Sequence, residues 1–421
     1  MEMIVLFGTL FVTMLLGVPL GFAVGIATFV AFMIFTDTPL TLIVQSCVTG
    51  IDSFAFIAIP LFIMSGALMS KGGIAKRLVD MFHVMLGHVP GGLGLVSVAT
   101  CGFFGAISGS ATATVSAIGS LMMPEMKEKG YPPEFNAMCI AAAGSTALLI
   151  PPSVCLVLYG VATETSVGDL LLAGIVPGLV VMFCLFFATI WYAKKHKFPV
   201  HKRQPVKAAL RAAWDAKWAL GCPIIILGGI YGGIFTATEA AVVSVVYAVV
   251  VGFFVYKDLT WKILMDSLKE TMVLSGMLAY MLGTATAFAK FLSLAQVPTK
   301  LVGWITGITD NPILLLLFCN ILLLILGCVV DNIPIILIMS PLMLPIAEFA
   351  GMSPVTFGCV MVLNTTIGLI TPPYGADLFF SASIAGVKME ATLKYFWMFF
   401  ITLVVSLMLV TYIPIFTTWM L

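Results

Sequence analysis

GAISGSATATVSAIGSLMMPEMKEKGYPPEFNAMCIAAAGSTALLIPP, Gly105 to Pro152, returns 221 residues later without a gap as LGCVVDNIPIILIMSPLMLPIAEFAGMSPVTFGCVMVLNTTIGLITPP, Leu326 to Pro373. Eight of the 48 positions are identical, and four of the five prolines in the first copy meet a proline in the second. Proline fixes φ and removes a backbone donor, so matched prolines report a matched backbone path rather than shared oiliness. An internal duplication is therefore the first property of the chain.

Each copy places a Gly/Ser/Thr/Asn-rich break inside a long uncharged run, then a second break ending in Pro-Pro. Irregular backbone at membrane depth leaves N–H and C=O groups that lipid cannot satisfy, so it persists only where it lines a cavity or meets an ion or substrate. Interrupted apolar segments at matching places in two halves point to a translocation site.

Bulk composition sets the frame. The 421 residues are 61% hydrophobic and 9% charged, with mean hydropathy +1.15, which is a polytopic membrane protein of all-α class. The nine cysteines all lie in apolar runs without a C-x-x-C pair and read as small core residues. His83, His88, His196 and His201 fall in or near loops, so neither a buried metal cluster nor a haem has ligands to draw on, and a nucleophile–base pair is likewise missing. An enzyme is thereby disfavoured, and no cofactor and no nucleic-acid partner are expected.

Along the chain, residues 3 to 36 are uncharged and as one helix would run roughly 50 Å against a hydrocarbon core of about 30 Å. Gly17-Val18-Pro19 divides them into two short spans, and with no basic leader they are taken as mature protein rather than a signal peptide. A third span fits Ser53 to Ser70. Ile74, Leu78, Met81, Phe82 and Met85 recur at helical spacing opposite Lys76, Arg77 and Asp80, which marks an interfacial arm from Gly73 to Gly87. Residues 89–124 read as a re-entrant hairpin broken at Ser108-Gly109-Ser110, residues 135–163 as a crossing helix broken from Gly144 to Pro152, and Leu170 to Ala193 as a plain span.

Residues 1–193 thus form a first repeat and residues 218–421 a second, joined by the basic linker 194–217, which holds eight of the 20 Lys and Arg residues. The second repeat is expected to place spans at Trp218 to Thr238 and Ala240 to Tyr256, an arm at Leu259 to Lys269 and a span at Thr271 to Ala289. A hairpin over 311–347 broken at Asp331 to Pro334, a broken helix over 354–387 and a last span from Tyr395 complete it. Five crossings per half force the second copy to lie inverted. With the linker in the cytoplasm and both termini outside, 18 of 20 cations fall on the cytoplasmic side, leaving only Lys290 and Lys300 outside.

The stretches Gly232 to Ala248 (GGIFTATEAAVVSVVYA), Phe103 to Met126 (FFGAISGSATATVSAIGSLMMPEM) and Asn364 to Phe379 (NTTIGLITPPYGADLF) resemble the large membrane subunit of the tripartite ATP-independent periplasmic (TRAP) transporters. The resemblance covers essentially the whole chain. It implies a secondary transporter of the bacterial inner membrane with the ion-transporter-superfamily fold and an elevator motion. It also implies sodium as the coupling ion, with a small four-helix membrane subunit and a soluble periplasmic binding protein that delivers an organic anion as partners in the lipid bilayer. Within the family, overall likeness points first to sialic acid (the sialic-acid branch) and second to a C4-dicarboxylate.

The residues support an anion site from a different direction. The only arginines, Arg77, Arg203 and Arg211, are cytoplasmic, so no guanidinium can hold a carboxylate at depth. Half-helix N-termini and cations held by carbonyls and hydroxyls remain. The candidates are Ser108, Gly109, Ser110, Thr112, Gly144, Ser145, Thr146 and Pro151 in the first repeat, and Asp331, Asn332, Asn364, Thr365, Thr366, Thr371 and Pro372 in the second. Against this, membrane Ser and Thr often bond their own backbone one turn back, and Asp331 suits an N-cap for the helix that Pro334 opens. Asp377 follows Pro373-Tyr374-Gly375 and reads equally as a residue bordering the site and as one outside it, Glu239 reads equally as a helix-start acid, and Trp214 and Trp218 read as interfacial anchors. A channel would use similar embedded polar breaks, but inverted hairpins favour alternating access.

Overall fold

Proline and glycine punctuation decides where each helix stops. The computed structural model describes residues 1–36, 38–200, 204–307 and 309–421; His201 and Arg203 of the linker lie outside the described residues. Among the described residues every regular element is helical.

The first half opens with α1 (Glu2–Leu15) and α2 (Leu20–Phe35), divided where Gly17 takes φ 79° and Pro19 caps α2, at the expected break. α3 (Thr41–Ile51) follows, then a 3-10 turn at Phe54–Ile57, α4 (Ala58–Lys71) and the arm α5 (Ile74–Leu86). α6 (Gly92–Ser108) and α7 (Ala111–Glu128) are a helix pair, α8 (Pro133–Gly144) and α9 (Val154–Thr163) flank the Pro-Pro break, and α10 (Val167–Lys195) closes the half. The linker carries α11 (Val206–Asp215).

The second half runs α12 (Lys217–Tyr231), α13 (Ala237–Val250), α14 (Trp261–Leu294), α15 (Val297–Thr306), α16 (Pro312–Gly327), α17 (Asn332–Phe349), α18 (Pro354–Gly368), α19 (Ala376–Ala385) and α20 (Met389–Tyr412). Helices long and apolar enough to cross a membrane number six among the described residues, including Val167–Lys195, Trp261–Leu294 and Met389–Tyr412.

The repeated stretches build the same elements. α7 and α17 are both 18 residues long, Gly130 and Gly351 both turn the chain at φ 82° and 83°, and the Pro151-Pro152 and Pro372-Pro373 peptides are both cis. α7 and α17 run through Pro124 and through Pro341 and Pro345, ending at Glu128 and Phe349 rather than at 124 and 347.

Two expectations need correction. The arm at Leu259 to Lys269 and the span at Thr271 to Ala289 are one 34-residue helix, α14. Thr260 caps its start and no proline interrupts it before Pro298. Its charges Lys262, Asp266, Lys269 and Glu270 fall three or four apart, which suits a helix projecting beyond the lipid rather than a separate arm. The arm position is taken instead by α15, entered through left-handed Gln296. In the first half the corresponding long element is cut at Asp52-Ser53, which creates α3, a helix absent from the sequence reading.

α2, α3 and α4 pack on α14, and α4 also packs on α13. Lys71–Glu270 and Arg77–Asp258, each 2.8 Å, tie the end of α4 and the arm α5 to this group, with the Arg77 guanidinium 3.8 Å above the Tyr256 ring. Against it sit the helix pairs and broken helices, and here the halves are exchanged: α19 of the second half lies on α7 and α8 of the first, while α9 lies on α17. Small residues bring backbones together at both breaks. Gly105 of α6 faces Ala147, and Gly327 of α16 faces Gly368, the residue that corresponds to Ala147 in the second copy.

Candidate functional site

The two tips and the two breaks converge. Gly109, left-handed at φ 61°, forms the α6–α7 turn, and a Cβ there would lie 2.8 Å from the Pro152 carbonyl, so this tip rests on the first Pro-Pro break. Ser110 caps α7, receiving Ala113 N–H at 3.4 Å, with its hydroxyl 3.3 Å from Thr112 Oγ1. Ser108 Oγ lies 2.9 Å from Thr114 Oγ1. Asp331 occupies the position matching Ser110 and caps α17, taking Asn332 N–H at 2.8 Å. An N-cap serine in one copy is thus an N-cap aspartate in the other, so the capping role expected for Asp331 is real.

Gly144 ends α8, and Ser145 and Thr146 lie in the following 3-10 turn, donating to the carbonyls of Ala142 (2.6 Å) and Ala143 (2.7 Å). Asn364, Thr365 and Thr366 do not sit in the second break itself; they form the last turns of α18, because Gly368 and not Thr366 ends that helix. Thr365 and Thr366 donate to Val362 (3.0 Å) and Leu363 (2.7 Å). Ser145 and Thr366, which occupy matching places in the two halves, each donate to the carbonyl three residues back. Each hydroxyl gives its proton to its own helix and keeps lone pairs to accept or to ligate. Thr371 Oγ1 bonds Ile367 O at 2.7 Å.

Two candidates are partly committed to structure. The Asn364 amide donates to Asn320 Oδ1 (2.9 Å) and O (3.0 Å), and Asn320 in turn donates to Thr411 (3.1 Å), stringing α18 to α16 and α20. The Asn332 amide reaches Cys155 Sγ at 3.2 Å, pinning α17 to α9.

Asp377 is the residue the candidate set lacked. It is fully buried in the first turn of α19, and among the described residues neither carboxylate oxygen has a hydrogen-bond partner. A Cβ on Gly144 would lie 3.6 Å from Asp377 Oδ2 and 3.5 Å from the Ala111 carbonyl, so this second-half carboxylate is seated at the first-half break and the start of α7. Asp331 is near enough to interact with it electrostatically. Its counterpart one half earlier is Leu156, next to Cys155, which meets α17 through Asn332. The signal available in sequence was the acid directly after Pro-Pro-Tyr-Gly; the exchange of helices that carries it into the other repeat was not readable.

A buried carboxylate needs a proton or a cation, because leaving it ionised and unpaired costs several kcal/mol. Hard cations take oxygen ligands, and this locus offers Asp377 Oδ1 and Oδ2, the Ala111 carbonyl and back-bonded hydroxyls, with no cluster of three His, Cys, Asp or Glu among the described residues to favour a softer metal. The residues therefore offer the kind of oxygen ligands that a hard cation takes. Glu239 lies elsewhere, closing a capping box with Thr236 at the start of α13, its carboxylate 2.8 Å from Thr236 N.

Long apolar helices, broken in pairs where buried oxygens gather, define a polytopic membrane transporter. The chain belongs to the DctM component family of the tripartite ATP-independent periplasmic transporters, whose family model matches residues 7–416; it is a permease subunit and not an enzyme. It is 41% identical over 367 residues to the C4-dicarboxylate TRAP transporter large permease DctM of Pseudomonas aeruginosa, covering 86% of this chain and 85% of that one. The isethionate TRAP transporter permease DctMQ of Oleidesulfovibrio alaskensis is 40% identical over 97% of this chain, which spans 65% of that protein's length. The sialic acid TRAP transporter permease SiaT of Haemophilus influenzae is 32% identical over 96% of this chain and 65% of its own length. In fold, the chain resembles the YdaH transporter of Alcanivorax borkumensis, with TM-score 0.62, 17% identity and 88% of each chain covered.

Proposed function

We propose that this chain is the translocating subunit of a sodium-coupled importer of small organic anions, working with a small four-helix membrane subunit and a periplasmic binding protein that delivers the substrate. The observation that carries the proposal is Asp377, a carboxylate buried without a partner among the described residues, at the break of the opposite half. A sodium ion there would neutralise that charge and, with the N-termini of α7 and α17, offset the substrate's. Ser108, Ser110, Ser145, Thr146, Thr365, Thr366 and Asp331 supply further oxygens around the tips. Asn332 and Asn364 hold the helices that present them.

The repeats are read as inverted, with α6–α7 and α16–α17 as re-entrant hairpins and both termini in the periplasm. These pairs, with the broken helices, move as one block against α2, α3, α4, α13 and α14 in an elevator motion. A small carboxylate or sulfonate is preferred as substrate. Relatives at 40% and 41% identity are named for isethionate and C4-dicarboxylates, against 32% for the one named for sialic acid, so the sugar acid expected from overall likeness becomes the second candidate.

The test is uptake in proteoliposomes holding the assembled system. Transport should require an inward sodium gradient, and Asp331→Asn in a well-folded variant should raise the sodium concentration for half-maximal uptake. Asn caps about as well as Asp, so an unshifted value would leave Asp331 a cap and remove it from coupling. Uptake driven equally by a potassium gradient would sink the sodium reading.

A further inference from the structure

The linker helix α11 is turned inside out. Ala212 and Ala213 pack inward and the helix lies on the arm α5, whereas Leu210 and Trp214 point away at 66% and 67% exposure. A helix bathed in water normally turns its large apolar residues inward. Lys207 and Arg211, both exposed, stand beside Leu210 and Trp214 on this outer face. Lys217 Nζ lies 3.4 Å from the Trp214 ring centre and 5.5 Å from that of Trp218, which gathers a third base and a second exposed indole onto the same surface.

Its position is fixed relative to the bilayer. Ala216 alone separates α11 from α12, the first apolar helix of the second half. Tyr256, just past the apolar helical stretch Ala237–Val255 that continues α13, donates a hydrogen bond to the Asp215 carbonyl at 3.2 Å. The outer face therefore sits at the end of a membrane helix, with three bases against the single acid Asp215. Leu and Trp flanked by Lys and Arg, on a helix at that level, match an interfacial surface for negatively charged lipid.

We propose that the outer face of α11 docks anionic phospholipid headgroups of the adjoining leaflet. Lys207, Arg211 and Lys217 take the headgroup charge, and Leu210, Trp214 and Trp218 enter the headgroup boundary. This rests on the membrane placement of the chain and is independent of substrate and coupling ion.

The test uses the full chain in vesicles of phosphatidylcholine with either brominated phosphatidylglycerol or brominated phosphatidylcholine. Bromine quenches nearby indoles, and the difference between the native chain and a Trp214→Phe/Trp218→Phe variant isolates these two. Brominated phosphatidylglycerol should quench them preferentially. Each single change among Lys207→Gln, Arg211→Gln and Lys217→Gln should cut the preference about fivefold, the equivalent of roughly 1 kcal/mol per base near a charged surface, and Arg211→Lys should retain it. Equal quenching by the two lipids overturns the proposal, as does an unchanged preference in the triple Gln variant. Quenching by aqueous iodide with none by either lipid assigns the face to water, and shielding of both indoles by added small membrane subunit assigns it to a protein; either result also overturns it.

Discussion

Replacing Asp377 with asparagine separates a cation site from a purely structural acid. In the absence of sodium the buried carboxyl must carry a proton, since an ionised, unpaired carboxylate at that depth costs several kcal/mol. Asparagine is close in size and equally neutral. In sodium-free buffer the variant should therefore match the native chain to within about 1 kcal/mol. With sodium at one hundred times its dissociation constant, the native chain should gain about 2.7 kcal/mol, a rise in thermal midpoint on the order of 5 °C. Asp377→Asn should gain almost none of it. The assay is thermal unfolding of the purified chain in detergent, in matched sodium and potassium buffers. An Asp377→Asn variant that keeps the full sodium-specific shift would refute the reasoning, because the unpartnered oxygens would then have no cation to explain them.

Three further outcomes are expected. A Cβ on Gly368 would lie 2.5 Å from the Gly327 carbonyl oxygen and 2.7 Å from its Cα, all backbone atoms that cannot swing aside; Gly368→Ala should cost about 1–3 kcal/mol and slow uptake, and a variant as stable and active as the native chain would show that the tip and break do not need this approach. A reporter active only in the periplasm should be active after Leu421 and silent near Gln204, and the reverse would place the linker outside. The purified chain alone in liposomes should import free substrate poorly or not at all; vigorous import without the small subunit and binding protein would contradict the tripartite reading.

Legibility in sequence followed the strength of local punctuation. The turn at Gly109-Ser110 and the break from Gly144 to Pro152 were readable because glycine, serine and proline there have no use inside a lipid-facing helix. Asp331 was readable as a cap for the same reason. α14 was misdivided because Lys262, Asp266, Lys269 and Glu270 imitate a surface segment, and charge reports where lipid ends rather than where a helix does. Thr365 and Thr366 were assigned to the break, but no local signal says which residue ends α18. The seat of Asp377 was out of reach in a deeper sense: a single sequence gives the order of helices, and the pairing of α19 with α7 and α8 is decided only when all three can compete for each other's surfaces.

That exchange of helices has a consequence for how the chain is made. α8 ends at Gly144 and its cover, α19, begins at Ala376, so 231 residues must be synthesised between them. At roughly 5–20 residues per second, the groove on the first half stays uncovered for about 10 to 50 seconds after its own helices exist. The nascent first half is then a substrate for whatever insertase or chaperone shelters apolar surface in the membrane. A chain severed within the linker should accordingly give two fragments that are short-lived apart and persist when produced together.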